Sequence, residues 1–129
     1  MNTKIKEITV MCDYCADGLW VEGAASDLKS IMKDLEIPFD TKAKSLSDSL
    51  KKWQETYENF NFWSPIVNYD EIYSSEEFKE FLIEGEEIAY KVREIIPKEI
   101  SIIYFKESNP QARYWVNEDK TMTLKEKYD

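Results

Sequence analysis

Residues 74–105 read SSEEFKEFLIEGEEIAYKVREIIPKEISIIYF, an amphipathic pattern followed by a short apolar run. Apolar side chains recur at every third or fourth position as far as Ile96, which predicts a helix with one buried face. Ser74 and Glu77 have the spacing of a capping box, so the helix is predicted to begin there. Residues 100–105 are apolar on nearly both faces, as is typical of a strand in the centre of a sheet.

Gly85 interrupts the predicted helix on its buried side. A glycine within a helix costs about 1 kcal/mol relative to alanine, so we expect a neighbouring element to approach the backbone closely there. A second apolar stripe predicts a helix over residues 47–58, with Ser45 or Ser47 as its N-cap. A less regular stripe predicts a further helix over residues 24–35.

Alternating side chains predict the remaining strands. Ile8, Val10 and Cys12 share one side of residues 5–13, and this period of two predicts a strand. Short extended segments are predicted at residues 19–21, 113–116 and 121–124. Because the helices are grouped between strands, the predicted fold class is α+β. We expect one globular domain over residues 1–129, with two or three helices packed on one face of a small mixed or antiparallel sheet of three to five strands.

The composition excludes several classes of function. The 129 residues include 17 basic and 26 acidic side chains and no histidine, which gives a net charge of −9. Without an imidazole, Ser-His-Asp and Cys-His nucleophile systems and mixed Cys/His zinc sites are excluded. The negative charge argues against direct binding to nucleic acid or to an anionic membrane, because both require clustered Lys and Arg. The sequence shows no apolar leader and no membrane-length apolar stretch, so we expect a cytoplasmic protein.

Cys12 and Cys15 form a C-x-x-C motif. A zinc site needs four ligands, and the remaining ones would have to be carboxylates such as Asp13 or Asp17. A redox motif would place the first cysteine at a helix N-terminus, whereas here it ends a predicted strand. We therefore interpret both cysteines as reduced, buried or half-buried thiols and expect neither a metal nor a cofactor. A small carboxylate or thiol enzyme is a less favoured alternative.

Most of the negative charge lies in one segment. Residues 68–87 contain eight acids and one lysine, a net charge of −7. Several glutamates recur there at helical spacings, so like charges stand close together on an exposed helix face, where each neighbouring pair costs roughly 0.2–0.5 kcal/mol. Such a face either keeps a protein in solution or meets a basic partner and speeds their encounter.

An aromatic-rich segment precedes this acidic one. Six aromatic residues occur among residues 57–73, a stretch without a regular helical or strand pattern. Tyrosine and tryptophan beside acids are typical of protein interfaces. They are equally typical of a loop packed over a core, and the sequence favours neither interpretation.

The chain also carries four short patterns: VMCDYCADGLW at residues 10–20, Leu50-x-x-Trp53-x-x-x-Tyr57, Phe81-x-x-Glu84-Gly85-x-x-x-Ala89 and Ile103-Tyr104-Phe105. Together they resemble small bacterial immunity proteins from toxin–immunity loci, including those of contact-dependent growth inhibition. The resemblance covers most of residues 5–107. It implies an inhibitor that binds a cognate toxin domain, and it implies this role more than a mechanism.

These observations favour a cytoplasmic immunity protein that neutralises a basic, nuclease-type toxin domain. It would block the toxin active site by presenting carboxylates in place of phosphate charge. We expect no catalytic residue, no metal ligand and no small-molecule substrate. An acidic inhibitor or adaptor of other nucleic-acid machinery is the alternative. The expected contacts are Asp70, Glu71, Glu76, Glu77, Glu80 and Glu84 for charge, with Trp63, Tyr69 and Tyr73 as aromatic anchors.

Overall fold

The structure, a computed structural model, describes residues 5–128. The prediction about an amino-terminal leader concerns residues 1–4 in part, and these lie outside the described residues. No helix within the described range is both long and apolar enough to cross a bilayer. The elements, in chain order, are β1 (Glu7–Val10), β2 (Leu19–Val21), β3 (Ala24–Ser26), α1 (Leu28–Asp34), α2 (Thr41–Asn59), α3 (Tyr69–Ser74), α4 (Glu76–Ile95), β4 (Ser101–Lys106), β5 (Ala112–Val116) and β6 (Met122–Lys127).

The strands form one mixed sheet in the order β3-β2-β1-β4-β5-β6. β1 and β4 pair in parallel, with Ile8 opposite Ile102 and Val10 opposite Tyr104, and the other neighbours are antiparallel. The α+β class is therefore confirmed, as is the central position of the strand after α4. The predicted number of strands was wrong, because residues 5–128 form six strands rather than three to five. They also form four helices, one more than the upper prediction.

The core lies on one face of this sheet. Ile8, Val10, Ile102 and Tyr104 form a single buried cluster with apolar residues of the helices. Since side chains alternate along a strand, the neighbouring residues of β1 and β4 point to the opposite face. The helices are thus gathered on one side of the sheet, as the sequence predicts.

The helix starts differ from the predicted ones. Asp40 is the N-cap of α2, and its carboxylate accepts a hydrogen bond from the Ala43 amide at 2.9 Å. The helix therefore begins before Ser45 and Ser47, and the predicted start at residue 47 was wrong. The N-cap of α4 is Ser75, whose hydroxyl oxygen accepts from the Phe78 amide at 3.1 Å. This cap lies one residue after the predicted one.

The predicted helix over residues 24–35 is only partly correct. Ala24–Ser26 pairs with β2 as a strand, because Glu22 and Gly23 both adopt positive φ angles of 49° and 85°. Two such residues form the tight turn that twisted hairpins favour. The helix begins only at Leu28, after Asp27 caps it by accepting from the Ser30 amide at 2.8 Å.

Gly85 confirms the predicted close approach of a neighbouring element. A Cβ atom added to it would lie 2.7 Å from a ring carbon of Trp53 in α2 and 2.7 Å from the hydroxyl oxygen of Tyr104 in β4. The missing side chain therefore lets α4 pack directly against the second long helix and the central strand.

Candidate partner-binding surface

The predicted charged contacts lie on α3 and α4. Asn68 caps α3 by accepting from the Glu71 amide at 3.1 Å, so part of the aromatic-rich segment is helical, which the sequence pattern does not show. Five of the six acids are exposed and Glu84 is half-buried. We call this set the acidic surface: Asp70, Glu71, Glu76, Glu77, Glu80 and Glu84.

The acidic surface is largely uncompensated. Glu76 pairs with Lys79 at 3.3 Å, and both side chains are well exposed. Within residues 5–128, no ion pair is found for the other five acids. Exposed pairs of this kind contribute little, and neighbouring like charges on a helix oppose folding. The helix dipole favours the four acids in the first turns of α3 and α4, whereas Glu80 and Glu84, further along α4, have no such compensation.

An open groove borders this surface. It has a volume of about 690 Å³ and lies between the end of α2, the connection after it, and the beginnings of α3 and α4. Glu71 and Glu77 line it together with apolar side chains that include Ile66 and Ile72. Glu80 and Glu84 line a neighbouring hollow between α2 and α4. The structure therefore brings charge and apolar surface together at the groove.

The aromatic segment divides into a packed half and an exposed half. Phe62 contacts five other rings, at centroid distances of 5.6–6.0 Å, and anchors the segment on the core. Tyr73 is half-buried among them, and burial, followed by the Glu107 carboxylate, raises its pKa. Tyr69 stacks on Phe62, and its hydroxyl donates to the Phe62 carbonyl at 2.7 Å. Packing over the core is therefore confirmed for part of the segment, and an interface role for the exposed part stays a prediction.

Trp63 and Tyr69 belong to the exposed half, with 64% and 48% of their surfaces accessible. Two exposed neighbours of this set, Tyr14 and Ile66, were not among the predicted contacts. Tyr14, 62% exposed, contacts the Trp63 ring at 5.7 Å across a large separation in sequence. Ile66 is 92% exposed at the groove. Tyr14 lies within the C-x-x-C motif, and the sequence pattern gives no sign of its contact with Trp63.

The cysteines occupy different environments. Both are free thiols: Cys12 is buried, as expected, whereas Cys15 is exposed, so the expectation of burial was wrong there. Burial, reinforced by nearby carboxylates of which Glu107 is the largest contributor, raises the pKa of the Cys12 thiol. A thiol held in its protonated form is a poor nucleophile. In the described part of the chain, no three Cys, Asp or Glu residues are arranged to hold a metal ion.

Glu107 is the one buried carboxylate among the described residues, 7% exposed just after β4. Desolvation raises its pKa to about 7, although a hydrogen bond from the Gln111 side-chain amide at 3.1 Å opposes the shift. The Asp13 carboxylate raises the pKa of Glu107 further, and the charge of Glu107 in turn acts on the buried Cys12 thiol. Within residues 5–128, no cation forms an ion pair with Glu107. Glu107 is therefore protonated below about pH 7, and because it is buried it cannot serve as a surface contact.

Comparison with known proteins identifies a family for most of the chain. No curated protein and no solved structure matches the chain. A family model described as Serratia CdiI immunity protein-like matches residues 6–107, which include the acidic surface, the aromatic segment and both cysteines. The chain therefore belongs to the Serratia CdiI immunity protein-like family.

Proposed function

We propose that this immunity protein neutralises a cognate toxin domain of the nuclease type by covering the basic active-site cleft with its acidic surface. The observation that carries the proposal is the uncompensated run of carboxylates beside the groove. Five acids have no ion-pair partner in residues 5–128, and two of them line the groove next to an almost fully exposed isoleucine.

Charge and apolar contacts would have separate roles. A nuclease must bind a phosphate backbone, and clustered Lys and Arg provide that affinity. Carboxylates aligned along α4 would attract the same cleft over a distance and raise the association rate. The exposed rings of Trp63, Tyr69 and Tyr14, together with Ile66, would then provide the dehydrated contacts that slow dissociation.

Inhibition in this proposal requires no catalysis by the immunity protein. Family membership supports a binding role. The protonated state of the Cys12 thiol gives no support to thiol chemistry at the C-x-x-C motif. Glu107, the carboxylate with the raised pKa, is buried and is not part of the groove lining.

The test is the association of this chain with the toxin domain encoded beside it, measured by stopped-flow or surface-based kinetics across a range of salt concentrations. Glu77→Lys combined with Glu80→Lys should slow association at least tenfold at low salt, as expected when steering charges are inverted. The difference should shrink as the salt concentration rises.

The matched control carries the same change in charge away from the acidic surface. Asp34→Lys combined with Glu99→Lys replaces two exposed acids, at the end of α1 and just after α4, by lysines. This control should associate at a rate within about threefold of the wild type. Equal slowing by both double variants would show that net charge alone matters and would refute the acidic surface as the contact.

A further inference from the structure

The second face of the sheet has no helix over it in the described part of the chain. Ile8, Ile102 and Tyr104 belong to the core cluster on the helical side. By alternation, Thr9 and Ile103 point the other way, and neither is a member of that cluster. The rest of what we call the bare face follows from the pairing register, from alternation beyond Thr9 for Met11, and from the contact of Lys125 with the Trp115 ring. The face comprises Glu7, Thr9, Met11, Trp20, Ala25, Ser101, Ile103, Phe105, Arg113, Trp115, Thr123, Lys125 and Glu126.

The bare face has an apolar centre. One row across the sheet runs from Trp20 through Thr9 and Ile103 to Trp115. Ile103, in the middle of this row, is 1% exposed, whereas Trp115 at its end is 41% exposed. The outer face of such a sheet is usually polar where it meets water. Two tryptophans in one row are therefore a sign of a contact surface.

The bare face has no net charge, unlike the whole chain. The Arg113 guanidinium lies over the Phe105 ring at 5.6 Å, and the Lys125 ammonium lies over the Trp115 ring at 5.6 Å. Glu126 stands opposite Arg113 in the register, next to an irregularity that brings Lys125 to the same face. With Glu7, the face carries two cations and two anions, whereas the chain has a net charge of −9.

Arg113 has unused hydrogen-bonding capacity. Its Nε atom is buried without a hydrogen-bond partner, so a group from another molecule would have to meet the terminal amino groups of the guanidinium. Within residues 5–128, no carboxylate lies within ion-pair distance of its guanidinium, even though Glu126 is its neighbour across the strands. A planar guanidinium with free donors is suited to a carboxylate from another molecule.

We propose that the bare face binds the bare face of a second copy of this chain. A twofold axis brings identical patches together, so a balanced patch that carries both a free guanidinium and carboxylates is complementary to itself. Arg113 of one copy would meet Glu7 or Glu126 of the other, and Trp20 and Trp115 would be covered. The acidic helical sides of two copies repel one another and would remain outward, free for a toxin.

The size of the face indicates a weak dimer. Six strands about 4.8 Å apart span about 24 Å, and strands of three to six residues span about 10–20 Å. The projected area is on the order of 400 Å² per copy, or about 800 Å² for both copies, which is below the roughly 1,200–2,000 Å² of stable interfaces and in the range of transient ones. We therefore expect dissociation in the micromolar range rather than an obligate dimer.

The experiment is sedimentation velocity on the full chain from about 5 to 500 µM in 0.15 M salt. With increasing concentration, the apparent mass of the wild type should rise from the 15.3 kDa of one chain toward twice that value. Trp115→Ser should weaken the association at least tenfold, and Arg113→Glu should do the same. Adding Glu126→Arg to Arg113→Glu should restore much of it. Ile66→Ser, on the helical side, is the matched control and should dimerise like the wild type.

A wild type that stays at the mass of one chain throughout this range would overturn the proposal. So would a Trp115→Ser variant that keeps its circular dichroism spectrum and dimerises as tightly as the wild type. If the wild type is monomeric and Trp115→Ser no longer binds the toxin, the bare face would be the toxin contact. This result too would overturn the proposal of a dimer. Because no toxin enters the sedimentation experiment, its result is independent of the proposed inhibition.

Discussion

Replacement of Gly85 by alanine sets two opposing effects against each other. Alanine is about 1 kcal/mol more favourable than glycine within a helix, so local propensity predicts a more stable protein. The added Cβ would however lie 2.7 Å from both the Trp53 ring and the Tyr104 hydroxyl, which is far shorter than ordinary contact between such atoms. The sign of the change depends on whether these two side chains can move.

Neither side chain is free to move. Trp53 is fully buried, its ring nitrogen donates to the Phe81 carbonyl at 3.1 Å, and it stacks on the Phe81 ring at 5.3 Å. Tyr104 is 1% exposed, and its hydroxyl donates to the Leu82 carbonyl at 3.2 Å. Overpacking a core costs about 1–3 kcal/mol, and each hydrogen bond broken to relieve it costs about 1 kcal/mol more. We expect Gly85→Ala to lower the free energy of unfolding by about 2 kcal/mol after the gain in propensity.

Urea unfolding followed by circular dichroism measures this difference directly. The same substitution should cost about 1 kcal/mol less in a Tyr104→Phe background, because one of the two close contacts is then absent. A Gly85→Ala protein as stable as the wild type would refute the reasoning, since it would show that helix propensity outweighs the contacts of Gly85.

Glu107, Arg93 and Trp63 each have a role that a single substitution tests. The folded-state pKa of Glu107 is about 7, above its ordinary 4.5, so between these pH values the unfolded chain ionises this group while the native state keeps it protonated. The native state therefore loses roughly 3 kcal/mol of stability as the pH rises from about 4.5 to about 7. Glu107→Gln should therefore match the wild type near pH 4.5 and exceed it at pH 8 in urea unfolding; a difference that does not change with pH would contradict the burial of this charge. The Arg93 guanidinium donates to the carbonyls of Ile96, Pro97 and Ile100 beyond the end of α4, so Arg93→Met should cost about 3 kcal/mol, against less than about 0.5 kcal/mol for the exposed Lys91→Met. Equal urea midpoints for Arg93→Met and Lys91→Met would show that these hydrogen bonds of Arg93 do not stabilise the fold. Trp63→Ala should raise the dissociation rate of the toxin complex at least tenfold with little change in association, and unchanged dissociation would exclude Trp63 as an anchor.

The sequence predicted helices and strands correctly where the spacing of apolar residues matches the buried face of the element. The stripe through Leu46, Leu50 and Trp53 is buried as expected, and so is the alternation of Ile8 and Val10. Gly85 predicted a close helix contact because glycine destabilises a helix interior and its presence there indicates tight packing. These features are local, and periodicity reports them directly.

The errors occurred where local patterns are weak or where contacts are distant in sequence. The first turn of α2 contains one buried apolar residue, Ala43, so periodicity gave no sign that the helix begins at Thr41. Ala24 and Ala25 favour helices in isolation, and pairing with β2 overrides that preference. The contact of Tyr14 with Trp63 depends on tertiary folding alone, and no sequence pattern could place these rings together.

Hydrogen exchange of the complex with its toxin domain tests the central claim most directly. If the acidic surface and the exposed aromatic residues form the contact, amides in residues 63–87 should exchange more slowly when the toxin is bound. Amides of β5 and β6, beneath the bare face, should show no change on toxin binding. Protection confined to those strands, with residues 63–87 unaffected, would contradict the account.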